Sequence, residues 1–315
     1  FPYTTLFRSA STLVAVEDLY LPYRPKRKTR ASIAKEKGLE PLANLVLMQL
    51  TKTPLLKEAE HYISEEKGVL TAEEALNGAK DILAERIAET AEYRTYIRKA
   101  TFQEGSLDSS ARDGNAESVY EMYYNFTEPV KKAAGHRILA LNRGEKEKIL
   151  TVKITAPEEK ILRYLEKKVI TRENPETARV LREVTEDSYK RLISPAIERE
   201  IRSELTENAE AGAIKVFGKN LEQLLMQPPI TGRVVLGWDP AFRTGCKLAV
   251  VDGTGKVLDT VVIYPTAPQN KVEESKKILK NLITKYGVSL ISVGNGTASR
   301  ESEQIIVGLL KEIKE

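Results

Sequence analysis

Apolar residues recur at helical spacing through most of the stretch from Ala10 to about Gln227. Leu39, Leu42, Val46 and the pair Gln49/Leu50 trace one face of a helix that follows the stop at Gly38, and Thr51-Lys52-Thr53-Pro54 ends it. Thr71 and Glu74 have the spacing of a capping box, in which two side chains satisfy each other's free backbone N–H. The helix they open carries Leu76, Ala79, Leu83, Ile87 and Ala91 on one stripe, with Glu, Lys and Arg elsewhere. Ser106 to Asn115 (SLDSSARDGN) is small, polar and loop-like. A second helical block from about Ala116 has one interruption, where Leu150, Val152 and Ile154 alternate with Thr151 and Lys153 as in a strand. Thr155 and Glu158 repeat the capping-box spacing. Pro175 suits a first helical turn, Pro195 is placed to end or kink that helix, and Pro228-Pro229 closes the helical region.

After Gly232 the pattern changes from helix to strand. Val234 to Asp239, Cys246 to Asp252 and Val257 to Tyr264 read as three strands of an antiparallel meander, with Gly253-Thr254-Gly255 as a tight turn. Lys271 to Tyr286 is an amphipathic helix with Val272, Ile278, Leu279 and Leu282 inward. Val288 to Val293 is a fourth strand, and helix resumes at Ser299. Three strands, a helix and a strand are the opening order of an RNase H-like fold, whose fourth strand returns parallel to the first. Such a sheet needs a further strand and helices on both faces, so the domain reads as truncated at Glu315.

Composition narrows the class. The chain has 315 residues, 30% of them charged and 41% hydrophobic, which suits several packed domains rather than disorder. No apolar run approaches the roughly 20 residues of a membrane helix. One cysteine, Cys246, allows no internal disulfide and fits a reducing, cytoplasmic setting. With only His61 and His136 beside it, a Cys/His zinc site is not expected. Residues 1–9, FPYTTLFRS, resemble a translated sequencing adapter and no targeting signal, and are set aside as a scar. Net charge is +4, yet the stretch from Tyr20 to Lys37 alone carries seven cations against Glu36. The basic excess therefore sits in one short segment.

Six strings in series give these elements a family. They are DLYLPYRPKRKTRASIAKEKGLEPLA (Asp18 to Ala43), ILAERIAE (Ile82 to Glu89), HRILALNRGEKEKIL (His136 to Leu150), YKRLISPAIEREIRSEL (Tyr189 to Leu205), VLGWDPAFRTGCKLAVVD (Val235 to Asp252) and GNGTASRESE (Gly294 to Glu303). Together they resemble the Tex family of bacterial transcription accessory proteins. The resemblance implies a multidomain chain: an N-terminal helical domain over 10–110, a central, mainly helical region over 111–229, and a truncated α/β RNase H-like domain of the YqgF type over 230–315. It also implies helix-hairpin-helix modules and an RNA-binding OB-fold further along the family's chains. RNA or DNA would be the partner, with RNA polymerase or a ribosome as a docking partner. No membrane and no small-molecule substrate are expected.

Candidate chemistry falls in two places. Arg24, Lys26, Arg27, Lys28 and Arg30 can track phosphates, releasing counterions whatever the base sequence, and Tyr20 and Tyr23 can stack on bases. The alternative is an extended connector whose charges pair with acidic helices nearby. Asp239 ends the first strand, where RNase H-like nucleases hold one of the carboxylates that bind two Mg²⁺. The second acid of such sites is replaced by Asn295 in Gly294-Asn295-Gly296, and Glu301 and Glu303 fall within the next helix. The expected function is thus a non-catalytic, nucleic-acid-binding transcription accessory scaffold, with no cofactor. The rivals are an Mg²⁺-dependent nuclease or resolvase using Asp239, and a scaffold that docks on polymerase or ribosome without touching nucleic acid here. Arg243 and Lys247 are read as phosphate contacts in the same cleft as Asp239, with an ordinary exposed Arg on a tight turn as the equal alternative for Arg243. Thr297 or Ser299 is read as a helix cap, Asp252 and Asp259 as turn residues and Cys246 as core. His136, near Arg137, Arg143 and Glu145, is read as a hydrogen-bonded structural histidine in preference to an acid–base group.

Overall fold

The computed structural model describes residues 8, 10, 12–25, 28–114, 117–228 and 230–313. The adapter-like nonapeptide, apart from Arg8, lies outside them, as do Lys26 and Arg27. The chain forms two compact units, Phe1–Asn220 and Leu221–Glu315.

Among the described residues of the first unit six helices come first: α1 (Leu13–Tyr20), α2 (Arg30–Glu36), α3 (Glu40–Met48), α4 (Leu55–Glu60), α5 (Ala72–Ala88) and α6 (Ala91–Glu104). Then come β1 (Ser106–Ala111), β2 (Asn125–Pro129), α7 (Gly135–Lys146), β3 (Leu150–Thr155), α8 (Glu158–Val169), α9 (Pro175–Asp187) and the long α10 (Ser194–Leu225). One apolar core runs through both helical blocks, joining Leu42 of α3 and Leu83 of α5 to Leu165 of α8, Leu181 of α9 and Ile197 of α10. The expected stripe on α5 is buried as Leu76, Ala79, Leu83 and Ile87, while Ala91 opens α6.

Several local expectations change. Ser106–Ala111 is no loop but the central strand of an antiparallel sheet in the order β2-β1-β3, and Asn125–Pro129 is a strand within what reads as a helical block. Only Leu107 and Ser109 of β1 are buried, so the alternation is almost invisible in apolar residues. Ladders on both sides hold its backbone instead. Thr155 does not cap α8. Its hydroxyl donates across the strands to Asp108, and Pro157 precedes the helix without a side-chain cap. Thr71 does cap α5 by accepting from the Glu74 N–H at 3.1 Å, but the Glu74 carboxylate accepts from Leu70, one residue before the cap.

Leu50 is exposed, and Gln49 takes the inward place expected of the pair. Gln49 ends α3 in the left-handed region, with φ of 56°. Its buried amide donates to the Val169 carbonyl at 2.9 Å and accepts from Thr171 and Arg172 N–H at 3.1 Å each. Those bonds offset the strain of a non-glycine residue in that conformation. Pro195 neither ends nor breaks its helix. The turn before it, Ser188–Ile193, widens to a π-helix, which accommodates a ring that lacks an N–H and crowds the preceding turn.

The second unit follows its expected order: β4 (Val235–Asp239), β5 (Cys246–Val251), β6 (Val257–Ile263), α11 (Val272–Tyr286), β7 (Leu290–Val293) and α12 (Ser299–Leu310). The sheet order is β6-β5-β4-β7, antiparallel except that β7 lies parallel to β4. Leu236, Trp238, Cys246, Leu248 and Ile263 pack against Leu279 and Leu282 of α11 and Ile306 and Leu309 of α12. Alternation along the strands then turns Asp239 and Lys247 to the opposite face.

Candidate nucleic-acid interface

The basic segment is built by short-range capping. A 3₁₀ turn, Leu21–Tyr23 with Pro22 in its first turn, follows α1, and the chain is extended at Arg24. Thr29 and Ser32 then cap α2 reciprocally: Ser32 N–H donates to the Thr29 hydroxyl at 3.0 Å and Thr29 N–H to the Ser32 hydroxyl at 2.8 Å. Arg24, Lys28 and Arg30 stand exposed beside Tyr20 and Tyr23, which are 46% and 48% exposed. Lys37 belongs to the scaffold, since its ammonium donates to the Gly68 carbonyl at 2.7 Å. Pro22, Tyr23 and Lys35 line a recess with Asp18, Glu40 and Arg86.

Around Asp239 the structure brings together some expected residues and separates others. Asp239 and Lys247 are direct cross-strand partners, and both line a cleft on the open sheet face with Thr260, Val262, Ser292 and Gly294. Thr260 and Ser292 carry no sequence signal, because only strand register brings them beside Asp239. Arg243 is not in that cleft; it stands exposed on the turn, its carbonyl accepting from Gln269 at 3.3 Å. Gly294 is pinned under β4, its N–H donating to the Trp238 carbonyl at 2.8 Å. A Cβ there would lie 3.2 Å from Pro240. Neither Thr297 nor Ser299 caps α12. Ala298 does so in the left-handed region, φ 61°, without a side-chain bond. Glu301 lines a separate groove with Phe242 and Thr266, and Glu303 lies beside Ile306 and Val307. Among the described residues no group of three His, Cys, Asp or Glu side chains converges as a metal site.

Other candidates resolve individually. Asp252 is a turn residue, accepting from the Thr254 and Lys256 N–H groups and the Thr254 hydroxyl. Asp259 is not one; it sits within β6 and accepts from the Tyr286 hydroxyl at 2.8 Å. Cys246 is fully buried core. His136 is exposed at the start of α7 rather than hydrogen-bonded in a cluster. Its neighbours have other partners: Arg137 pairs with Glu128 at 2.6 Å, and Glu145 with Arg202.

Residues 51–217 match the Tex central region-like model, and residues 233–315 match the Tex protein YqgF-like domain. The chain belongs to the Tex family. It is 53% identical over 304 residues to the uncharacterized protein YdcI of Bacillus subtilis, covering 96% of this chain and 42% of that protein. It is 36% identical over 314 residues to the transcriptional accessory protein Tex of Neisseria gonorrhoeae, covering 98% and 41%. Over 318 residues it is 33% identical to the human S1 RNA-binding domain-containing protein 1, covering 96% and 31%. This Tex-family chain thus spans about two-fifths or less of the length of these relatives. Among its described residues no helix is long and apolar enough to cross a membrane.

Three carboxylates of the second unit of this Tex-family chain are held below their ordinary range by their partners. Hydrogen bonds from Lys276 and Lys280 lower Glu312 to about 2. Those from Thr254 and Lys256 lower Asp252, and those from Tyr286 and Thr260 lower Asp259. A carboxyl whose folded pKa lies below its unfolded value, about 4, contributes its full stability above that value. The contribution is lost as pH falls through the folded one. The urea midpoint of this unit should therefore drop between pH 5 and pH 2, and Glu312→Gln should shrink the drop. Equal midpoints at pH 6 and pH 3 would refute the prediction.

Proposed function

We propose that this chain serves as a non-catalytic, nucleic-acid-binding scaffold in transcription, contacting RNA or DNA through their phosphates. The observation that carries this reading is the exposed set Arg24, Lys28 and Arg30 beside two half-exposed tyrosines. Cations released from phosphates give a binding term independent of sequence, and aromatic faces add stacking to any base. Relatives named as a transcriptional accessory protein and as an S1 RNA-binding domain-containing protein support the same reading. Lys247 offers a further phosphate contact beside Asp239. The chemistry of this part is electrostatic: it holds a polyanion and orients it, and it transfers no atoms.

The test is a salt titration of binding to a labelled oligonucleotide, as RNA and as duplex DNA. Reversing Arg24, Lys28 and Arg30 to glutamate should reduce the slope of log K against log salt by up to about 2 for single strands. At 0.1 M salt the affinity should fall at least roughly tenfold. An unchanged slope removes this segment from the interface. The same mixtures with Mg²⁺ or Mn²⁺ should leave the oligonucleotide intact; cleavage that disappears in Asp239→Asn would replace the scaffold reading with a nuclease.

A further inference from the structure

Helix α1, which leads directly into the basic segment, is attached in an unusual way. Its sequence LVAVEDLY is mostly apolar, yet its one buried residue is Asp18. Among the described residues none of its apolar side chains belongs to the core of the unit or to the partly buried shell around it; Val14, Ala15, Val16 and Leu19 are half-buried, Tyr20 is half-exposed and Leu13 largely exposed. Asp18 instead enters a fork of two arginines on α6. Arg94 Nε donates to its Oδ1 at 2.6 Å, and Arg98 Nη2 donates to the same oxygen at 3.1 Å. Arg98 Nη1 stands 2.9 Å from Oδ2, a charge contact without hydrogen-bond alignment. Both arginines also pair with Glu200 of α10, Arg98 at 2.7 Å. Burial works against the charge on Arg98, but its bonds to Asp18 and Glu200 more than offset this and hold its pKa above the usual range.

We propose that Asp18 is a positioning residue: it latches α1 to the body of the unit and so holds the basic segment in place for a polyanion. A helix of eight residues is not stable by itself in water, and none of the apolar side chains of α1 is fully buried. Release of the Asp18 carboxylate therefore lets α1 and the following turn open as a local unit, below the free energy of global unfolding. The body does not open with it, because Glu200 still pairs with both Arg94 and Arg98 and keeps α6 bonded to α10. The arrangement thus separates the order of the arm from the stability of the core. The binding consequence rests on the interface reading given above; the latch itself does not.

Amide hydrogen exchange of the 315-residue chain tests the latch, with the same labelled oligonucleotide as binding probe. Asp18→Asn should accelerate exchange over residues 13–23 about tenfold or more, and leave α5 and α9 unchanged. Glu200→Gln, which leaves Asp18 both arginines, should not release the arm. Oligonucleotide affinity of Asp18→Asn should fall severalfold at an unchanged salt slope, because every exposed cation is still present. Unaltered exchange over 13–23, or equal acceleration of α5 and α9, overturns the latch. Accelerated exchange with unaltered affinity overturns the positioning role. If reversing Arg24, Lys28 and Arg30 leaves the slope unchanged while Asp18→Asn still frees the arm, the interface reading fails and the latch stands.

Discussion

Replacing Arg94 with alanine is expected to destabilise the first unit by about 3–5 kcal/mol, read as a lowered denaturant midpoint at constant slope. Arg94 lies buried between Asp18 and Glu200 and bonds to both. Removing it deprives two carboxylates, one of them almost fully buried, of one of the two arginines they share, and leaves a cavity where its stem packed. An unpaired buried charge is far more costly than the same pair never formed, which is why deleting one partner has a large effect. The contrast with Asp18→Asn is the informative part. Loss of Asp18 leaves Arg94 with Glu200, whereas loss of Arg94 weakens both the arm and the contact of α6 with α10. Arg94→Lys should recover only part of the loss, because a single ammonium does not present the fork that two carboxylates share. A midpoint shift worth less than 1 kcal/mol would show that Arg98 alone satisfies both acids.

The second large effect is expected at Gly245, in the turn that joins β4 to β5. Its φ is 78°, and a Cβ there would lie 2.6 Å from Tyr264 Cε1 and 2.8 Å from Val262 Cγ1. Gly245→Ala therefore combines left-handed strain of about 1 kcal/mol with overpacking of about 1–3 kcal/mol. The second unit should lose roughly 2–4 kcal/mol, the sum of those two costs. The loss also bears on the candidate interface. This turn sets the register that places Lys247 opposite Asp239, so the phosphate contact proposed at Lys247 should weaken with the fold. Tyr264→Ala, which opens space on one side of the turn, should recover the overpacking against that ring and leave the contact with Val262 and the conformational part. If Gly245→Ala unfolds at the same denaturant concentration as the parent, the turn is more pliable than its geometry implies.

How much of this was legible beforehand varied with the strength of the local signal. The second unit was almost fully readable, because Leu236/Trp238 and Cys246/Leu248/Val250 alternate strongly with residues of the other face. Helices with wide apolar stripes, such as α5 and α9, were readable for the same reason. The strand Ser106–Ala111 was not: its buried positions hold only a leucine and a serine, and its neighbours along the sheet are distant in the chain. The cap at Thr155 failed because another strand offered its hydroxyl a better partner in Asp108. Lys37 looked like part of the basic segment until its reach to Gly68 appeared. Arg243 looked like a companion of Lys247, but the turn points it elsewhere.

By itself the sequence determined most of the helices, the switch from helix to strand near Gly232, the basic segment and the family. All of these are written in spacing over a few residues or in strings that need no partner. Tertiary structure decided which charges are available. Asp18 and Arg94 are separated by 76 positions and Arg94 and Glu200 by 106, so no local pattern announces that they meet. Whether an ionic side chain faces solvent or a buried counter-charge depends on the three-dimensional packing of helices, and that packing is what separates the exposed Arg24 from the buried Arg94.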